Sequence, residues 1–177
     1  MNLGRASKIA GWMSDPELRF LASHAPDHKV ILEAGSFQGK STRALADNTD
    51  GVVYAIDPWK PMTMFTGASF NGIGVDSMTF TLFCLNMGDH IRSGKVIPTP
   101  MEFTKFQCND EPTMIFIDAR HDFNSVCADI EHAMKLMKTG LLCGHDYDPH
   151  KWPGVIEAVH KYFSGVLVTD TIWSVKL

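Results

Sequence analysis

The hydrophobic positions of the chain fall into two kinds of segment. Six short apolar runs follow one another along the chain, the first of them at residue 30, and several end in an acid, a glycine or a proline. In order they are "VILEAG", "GVVYAID", "KVIPTP", "TMIFIDA", "GLLCGHD" and "GVLVTD". They lack clean alternation of apolar and polar residues, which is typical of strands covered on both faces in a parallel sheet. The tail "TIWSVKL" does alternate, and it predicts an antiparallel edge strand.

The segments between these runs have helical spacing. Apolar residues from 123 to 137 recur three and four positions apart, and Gly140 follows them, so they predict an amphipathic helix. Pro153 begins a similar pattern that ends near Phe163. Strands that alternate with helices predict an α/β fold, a doubly wound and mostly parallel sheet with helices on both faces.

The composition suits a single domain over residues 1–177. The chain is 45% hydrophobic and 20% charged, enough to bury a continuous core without disulfides or metals. Helical spacing after the start signal of Asp15 and Pro16 predicts an N-terminal helical cap over residues 1–28. The segment 59–75 is rich in glycine, methionine and aromatic residues and has no periodicity, so we expect a lid loop there.

Charge and cysteine content exclude several kinds of partner. The formal charge is −4, and lysines and arginines are scattered, so neither nucleic acid nor an anionic membrane is expected as a partner. No C-x-x-C pair occurs, and the cysteines are expected to be free thiols in a reducing cytosol. Without a signal peptide or a long apolar run, we expect a cytoplasmic protein. The sequence leaves the oligomeric state open, and a homo-oligomer is compatible with it.

Two glycines and an acid suggest where a ligand would bind. Gly35 and Gly39 follow the first strand, where glycines allow backbone N–H groups to approach a ligand closely. Asp57 closes the second strand, about 20 residues later, where an acid can accept hydrogen bonds from ribose hydroxyls. The G-x-G-x-x-G pattern is missing, which disfavours a dinucleotide. The alternative is two turn glycines and an ordinary acid at a strand end.

Longer motifs carry a family resemblance. "EAGSFQGKS" followed by "YAIDPW" resembles the first two motifs of class I S-adenosylmethionine-dependent methyltransferases. The segment from "FIDARHDFNS" to "GHDYDPHKWPGVIEAVHKYF" is similar to their small branch of metal-assisted sugar and natural-product O-methyltransferases. The resemblance implies a Rossmann-like fold and S-adenosylmethionine as cofactor. The implied cofactor-binding residues are Glu33, Gly35, Ser36, Phe37, Gln38, Gly39, Ser41, Asp57, Pro58, Trp59, Met101 and Asp118. Trp59 or Met101 would be apolar walls for adenine.

Three side chains predict a metal site. "IDARH" and "GHDYD" end the fourth and fifth strands, which are neighbours in the implied fold, so Asp118, His145 and Asp146 should meet. Such an O/N ligand set could hold Mg²⁺ or Mn²⁺. His145 departs from the acid that the related enzymes have at its position, and imidazole suits manganese better than magnesium. The alternative is a hydrogen-bonded set that caps neighbouring helices.

His121, three residues after Asp118, is the candidate general base. It could instead bond a loop carbonyl. With His121 and Asp118 as catalytic residues, the resemblance implies O-methylation of a small hydroxylated acceptor, a sugar or a catechol-like diol, with assistance from a divalent metal. One alternative is a non-catalytic module of the same fold that binds S-adenosylmethionine or S-adenosylhomocysteine. Another is metal-dependent hydrolysis in the Asp118 crevice.

Overall fold

The structure is a computed structural model that describes residues 1–59 and 75–177, with side chains from residue 78 onward in the second part. Its strands are β1 (Val30–Ala34), β2 (Val52–Ile56), β3 (Val96–Thr99), β4 (Met114–Ile117), β5 (Leu141–Gly144), β6 (Leu167–Thr169) and β7 (Ile172–Lys176). They form one sheet in the order β3-β2-β1-β4-β5-β7-β6, and the first five are parallel. The predicted fold class is confirmed.

Five α-helices surround this sheet. They are α1 (Asp15–His24), α2 (Lys40–Ala46), α3 (Val75–Arg92), α4 (Phe123–Leu136) and α5 (Pro153–Tyr162). A reciprocal capping box between Ser14 and Glu17 begins α1, and the Asp122 side chain caps α4 by accepting from the Ser125 N–H. These caps satisfy backbone donors that a helix leaves without partners at its start. Helix boundaries therefore follow local sequence signals closely.

The central strands are buried on both faces. Ile31 of β1 packs in a cluster with side chains of α1, α2 and α3, whereas Leu32 packs in a second cluster with α4 and α5. Each fully buried leucine or isoleucine of this kind stabilises the fold by roughly 1.5–3 kcal/mol. Two apolar layers explain why the strand sequences show no alternation.

The register of the parallel strands aligns the carboxyl ends of β2, β1, β4 and β5. Ala34 pairs with Ile56 on one side and Ile117 on the other, and Ile117 pairs in turn with Gly144. The next residues are Gly35, Asp57, Asp118 and His145, which therefore lie along one edge of the sheet. Because the strand order reverses between β1 and β4, a ligand crevice is expected at this edge.

The C-terminal strands differ in one respect from the predicted arrangement. The tail strand β7 is antiparallel to β5, but it lies between β5 and β6, and β6 forms the edge. Trp173 of β7 is almost fully buried, whereas all three residues of β6 are exposed. The bulkier apolar strand thus occupies the interior position because burial of its side chains stabilises the sheet.

Two further expectations concern a lid loop and membrane-spanning segments. The lid loop expected over 59–75 lies outside the described residues except at its ends, Trp59 and the first residue of α3. Among the helices in the described ranges, none is long and apolar enough to cross a bilayer.

Candidate functional site

Asp57 at the end of β2 holds the loop of residues 35–39 that follows β1, which we call the β1 loop. Its Oδ2 accepts the backbone N–H groups of Ser36 at 3.0 Å and Phe37 at 2.9 Å, and its Oδ1 accepts that of Trp59 at 2.6 Å. Burial raises the pKa of Asp57, although these three backbone donors oppose the rise. A carboxylate has about four acceptor positions, so capacity remains for a further donor.

Glu33 lies beneath the same loop and is completely buried. Its Oε2 accepts the Ser36 hydroxyl at 2.6 Å and the Thr42 hydroxyl, while Oε1 has no hydrogen-bond partner within the described part of the chain. Burial raises the pKa of Glu33 to about 7, against the opposing effect of hydroxyl contacts that include Ser41. A buried acceptor without a partner is rare and indicates a place for another donor.

Both glycines of the loop have positive φ, but their surroundings add a second reason for glycine. A Cβ on Gly35 would lie 1.9 Å from the carbonyl oxygen of Asp118, and one on Gly39 would lie 3.1 Å from the Phe83 ring. The backbone after β4 thus leaves no room for a side chain at Gly35, whereas a side chain at Gly39 would be tight against α3 and strained by the φ of 89°. The prediction that Gly35 and Gly39 bind a ligand stays a prediction, because their packing alone accounts for them.

The tip of the loop is held in a strained conformation. Phe37 has φ 46°, a region that bulky residues rarely adopt. Its carbonyl accepts the Trp59 Nε1–H at 2.8 Å, and its ring lies 5.1 Å from that of Trp12, which is 74% exposed. The next residue, Gln38, accepts from the Asn86 side chain through its carbonyl. Several contacts thus fix an unfavourable backbone turn beside the carboxyl end of β1.

A pocket of about 230 Å³ lies beside this loop. Its lining includes Gly35, Pro58, Phe103, Ala119 and Asp129. Trp59 and Met101, the expected apolar walls, are not among the described lining residues. Trp59 is buried against Phe80 and Phe83, and Met101 is 39% exposed at the surface. Trp59 thus packs in the core, and Pro58 and Phe103 are apolar residues of the pocket lining, while the contact of Trp59 or Met101 with adenine stays a prediction.

Asp129 is a residue of this pocket that the sequence reasoning missed. It is 7% exposed, and burial together with the nearby Glu102 raises its pKa to about 7, while Arg120 opposes the rise. It lies on α4 between the buried Val126 and Ile130, so the apolar stripe of that helix contains an acid. That interruption was the available sequence signal.

The second part of the site is a crevice between the ends of β4 and β5. The His145 Nδ1 lies 3.4 Å from Asp118 Oδ1 and 3.4 Å from Asp146 Oδ2. Potential ligand atoms of these three residues lie within 4.8 Å of one another. Asp146 has φ 62°, which aspartate tolerates better than most residues. The structure thus brings together the predicted Asp118, His145 and Asp146.

Opposite charges compensate one another in this crevice. Burial alone would lower the pKa of His145, but its contacts with Asp118, Asp146 and Glu17 raise it well above the usual range. Burial alone would raise the pKa of Asp146, but His121 and His145 lower it strongly. Charge-assisted contacts of this kind offset the cost of removing the groups from water.

His121 has a carboxylate partner and an aromatic neighbour. Its Nε2 lies 2.7 Å from Asp146 Oδ2, and its ring centroid lies 4.2 Å from that of Trp152. The alternative contact with a loop carbonyl is not found within the described ranges. The helix-capping alternative for Asp118 and Asp146 is not found there either, because Asp122 caps α4.

Glu17 is a second residue that the sequence reasoning missed. Its Oε1 lies 3.1 Å from the His145 Nε2, on the far side of the ring from Asp118 and Asp146. In the sequence, Glu17 is the third residue of a helical first turn, where a capping box accounts for it completely. No local signal could therefore have connected it with the crevice.

Comparison with known proteins places the whole arrangement in a family. A family model described as a methyltransferase domain matches residues 32–147, which include the β1 loop, the pocket and the crevice. A search of curated protein sequences gave no match.

Several solved structures share the fold. A SAM-dependent O-methyltransferase from Thermotoga maritima has a TM-score of 0.62 at 14% identity, over 87% of this chain and 52% of that chain. This chain therefore spans about half the length of the Thermotoga protein. An O-methyltransferase from Bacillus cereus in complex with S-adenosylhomocysteine has a TM-score of 0.64 at 18% identity, over 99% of this chain and 87% of that chain. An rRNA methylase from Streptococcus thermophilus has a TM-score of 0.62 at 14% identity, over 94% of this chain and 98% of that chain.

Proposed function

This chain belongs to the methyltransferase-domain family, and on that premise we propose that it methylates an oxygen of a small hydroxylated acceptor with S-adenosylmethionine as donor. The resemblance to class I methyltransferases is confirmed by the family match and by the shared fold. One observation carries the proposal, namely the position of the β1 loop and the Asp–His crevice side by side at one sheet edge.

The residues around the β1 loop fit S-adenosylmethionine. Asp57 has acceptor capacity for ribose hydroxyls, and Glu33 Oε1, which has no hydrogen-bond partner among the described residues, suits the cationic end of the molecule. The neighbouring pocket, with Pro58 and Phe103 in its lining, has room for adenine. When bound, S-adenosylmethionine supplies an electrophilic methyl group and leaves as S-adenosylhomocysteine.

His121 would remove the proton of the acceptor hydroxyl. With Nε2–H donating to Asp146, the imidazole presents Nδ1 as a lone pair, and within the described residues Nδ1 has no partner. The tilted contact with the Trp152 ring restricts the orientation of the imidazole. The oxygen that loses its proton would then accept the methyl group that S-adenosylmethionine supplies, with the methyl–sulfur bond broken as the methyl–oxygen bond forms. The proton remains on His121 until solvent accepts it.

The crevice also fits a divalent cation. Asp118, His145 and Asp146 offer two carboxylates and an imidazole within reach of a common point, a donor set that suits Mn²⁺ or a similar borderline ion. A bound ion would lower the pKa of the acceptor hydroxyl and fix its angle. The protein's own contribution is to hold the three side chains at adjacent strand ends.

One observation favours the non-catalytic alternative. Each carboxylate of the crevice already has an imidazole partner, so its charge is compensated without an ion or a substrate. A module that only binds S-adenosylhomocysteine would retain the β1 loop and pocket and use these contacts for stability alone.

Calorimetry and chelation test the proposal in two steps. S-adenosylmethionine and S-adenosylhomocysteine should bind, and NAD should not, because the loop lacks the G-x-G-x-x-G pattern that receives a pyrophosphate. Equal or tighter binding of NAD would overturn the cofactor assignment. A panel of sugars and catechols with labelled donor then reports transfer, which should fall in excess chelator and return with Mn²⁺. Full transfer in excess chelator would contradict the role of the metal.

A further inference from the structure

Glu17 contacts the crevice from outside. It lies on α1, far in sequence from the ends of β4 and β5, and is only 2% exposed. The His145 Nε2 is buried and has no aligned hydrogen-bond partner within the described residues, and Glu17 Oε1 lies 3.1 Å from it. Glu17 is therefore the acceptor within reach of a buried donor, and a small rotation of the ring would align the two.

Glu17 is itself rigidly held. Its Oε2 accepts the Ser14 N–H at 2.7 Å. Its Oε1 accepts the Thr171 hydroxyl at 2.5 Å and the Thr171 N–H at 3.3 Å. These donors come from the start of α1 and from the turn between β6 and β7. A buried carboxylate fixed from two elements can orient a neighbouring ring without moving itself.

The two nitrogens of His145 consequently face different groups. Nε2 faces Glu17, while Nδ1 faces Asp118 and Asp146 at 3.4 Å each. When a carboxylate accepts the N–H of one ring nitrogen, the other nitrogen is the one that can release its proton and bind a metal, and the ring becomes a stronger ligand.

We propose that Glu17 is a positioning residue that presents His145 Nδ1 as a metal ligand, and that the crevice therefore selects Mn²⁺ or Co²⁺ over Mg²⁺. The selectivity follows because imidazole nitrogen suits these ions, whereas Mg²⁺ prefers oxygen ligands and keeps its water. This inference rests on the proposed metal site and adds a residue and an ion preference to it.

A purely structural role of Glu17 is the competing explanation, and the chain offers matched controls. Thr171→Val removes the hydroxyl that donates to Glu17 Oε1, and Ser14→Ala removes the hydroxyl that accepts the Glu17 N–H at the start of α1, while both leave the Glu17 carboxylate beside His145. Glu17→Gln keeps the size of the side chain and removes its charge. If Glu17 only ties α1 to the sheet, all three variants should lower the melting temperature and leave the ion preference unchanged.

The experiment measures ion affinities by calorimetric titration of the metal-free protein with MnCl₂, CoCl₂ or MgCl₂. Wild type should bind Mn²⁺ and Co²⁺ at least about 10-fold more tightly than Mg²⁺. Glu17→Gln should lose roughly 10- to 100-fold in Mn²⁺ and Co²⁺ affinity, the usual effect of removing a group that orients a ligand. Ser14→Ala should lose less than about threefold, and S-adenosylhomocysteine affinity should be unchanged in both variants.

A measurement on wild type keeps the inference testable if Glu17→Gln fails to fold. In the long-range ¹H–¹⁵N spectrum of protein loaded with Zn²⁺, His145 should show a protonated Nε2 and a metal-bound Nδ1. A metal-bound Nε2, or a folded Glu17→Gln variant that binds Mn²⁺ as tightly as wild type, would overturn the positioning role of Glu17. The proposed metal site would not be affected by either result. If wild type binds no ion but binds S-adenosylhomocysteine, the metal part of the proposed function fails together with this inference, while the cofactor assignment stands.

Discussion

The β1 loop and the β4–β5 crevice are neighbours at one sheet edge, yet they compensate buried acids in opposite ways. Glu33 and Asp57 accept from hydroxyls and backbone N–H groups, and burial raises both pKa values. Asp146 and Glu17 face imidazoles, which lower their pKa values despite burial. Neutral donors leave an acid ready to meet a cationic ligand, whereas imidazoles supply a proton or metal site. The loop is suited to binding, and the crevice is suited to chemistry.

The largest effect is expected in the crevice. His121→Ala should lower turnover by about 10²–10⁴ on a confirmed acceptor, the usual loss for a general base, because the group proposed to take the proton of the acceptor hydroxyl is removed. S-adenosylhomocysteine affinity should stay nearly constant, since His121 contacts Asp146 and Trp152 rather than the loop. Steady-state kinetics and calorimetry measure the two quantities.

The exposed His150 offers a control, and His150→Ala should leave turnover within about twofold. Near-wild-type turnover of His121→Ala would remove the functional contrast between crevice and loop. Deprotonation of the acceptor would then have to occur without this base.

The next effect concerns pH and the pocket beside the loop. Asp129 has its pKa raised from 3.8 to about 7, and the charged groups that influence it are Glu102, Arg120 and Asp122. Between these values the native state holds a proton that the unfolded state has released, so the free energy of unfolding should fall as pH rises. The fall should reach roughly 2–4 kcal/mol between pH 4 and pH 8.

Asp129→Asn should remove the part of the slope that Asp129 contributes, because the amide does not titrate, while Glu33, whose pKa is also raised to about 7, should keep its own part. Urea unfolding of both proteins at several pH values measures the difference. Asp50→Asn, at an exposed acid before β2, is the matched control and should keep the wild-type slope. Parallel curves for wild type and Asp129→Asn would mean that the pocket acid titrates normally, and the electrostatic contrast with the crevice would weaken.

The smallest effect is expected at the loop itself. Asp57→Ala should weaken S-adenosylhomocysteine binding by roughly 1.5–3 kcal/mol, because a charged acceptor for desolvated hydroxyls is lost. Turnover at saturating donor should change much less than in His121→Ala. Asp50→Ala, at the opposite end of β2, should bind like wild type. An unchanged affinity of Asp57→Ala would mean that another group receives the ribose.

Much of the site followed from the sequence because parallel strands end at a common edge. Asp57, Asp118, His145 and Asp146 each follow an apolar run, and the register of β2, β1, β4 and β5 places them there. Local signals also fixed the helices, since the capping residues Ser14 and Asp122 lie where the spacing predicts a start. These features depend on side-chain period and short-range hydrogen bonds, which the sequence contains directly.

Other features depended on which distant elements became neighbours. Glu17 reaches His145 only because α1 packs against the β6–β7 turn, and its own sequence context predicts nothing beyond a helix cap. Trp59 lies in the core rather than in the pocket because Phe80 and Phe83 of α3 cover it. The position of β7 inside the sheet likewise depends on the burial of Trp173. The sequence by itself determined the strand ends and their chemistry, while tertiary packing decided their partners, because contacts between distant residues form only after the layers assemble.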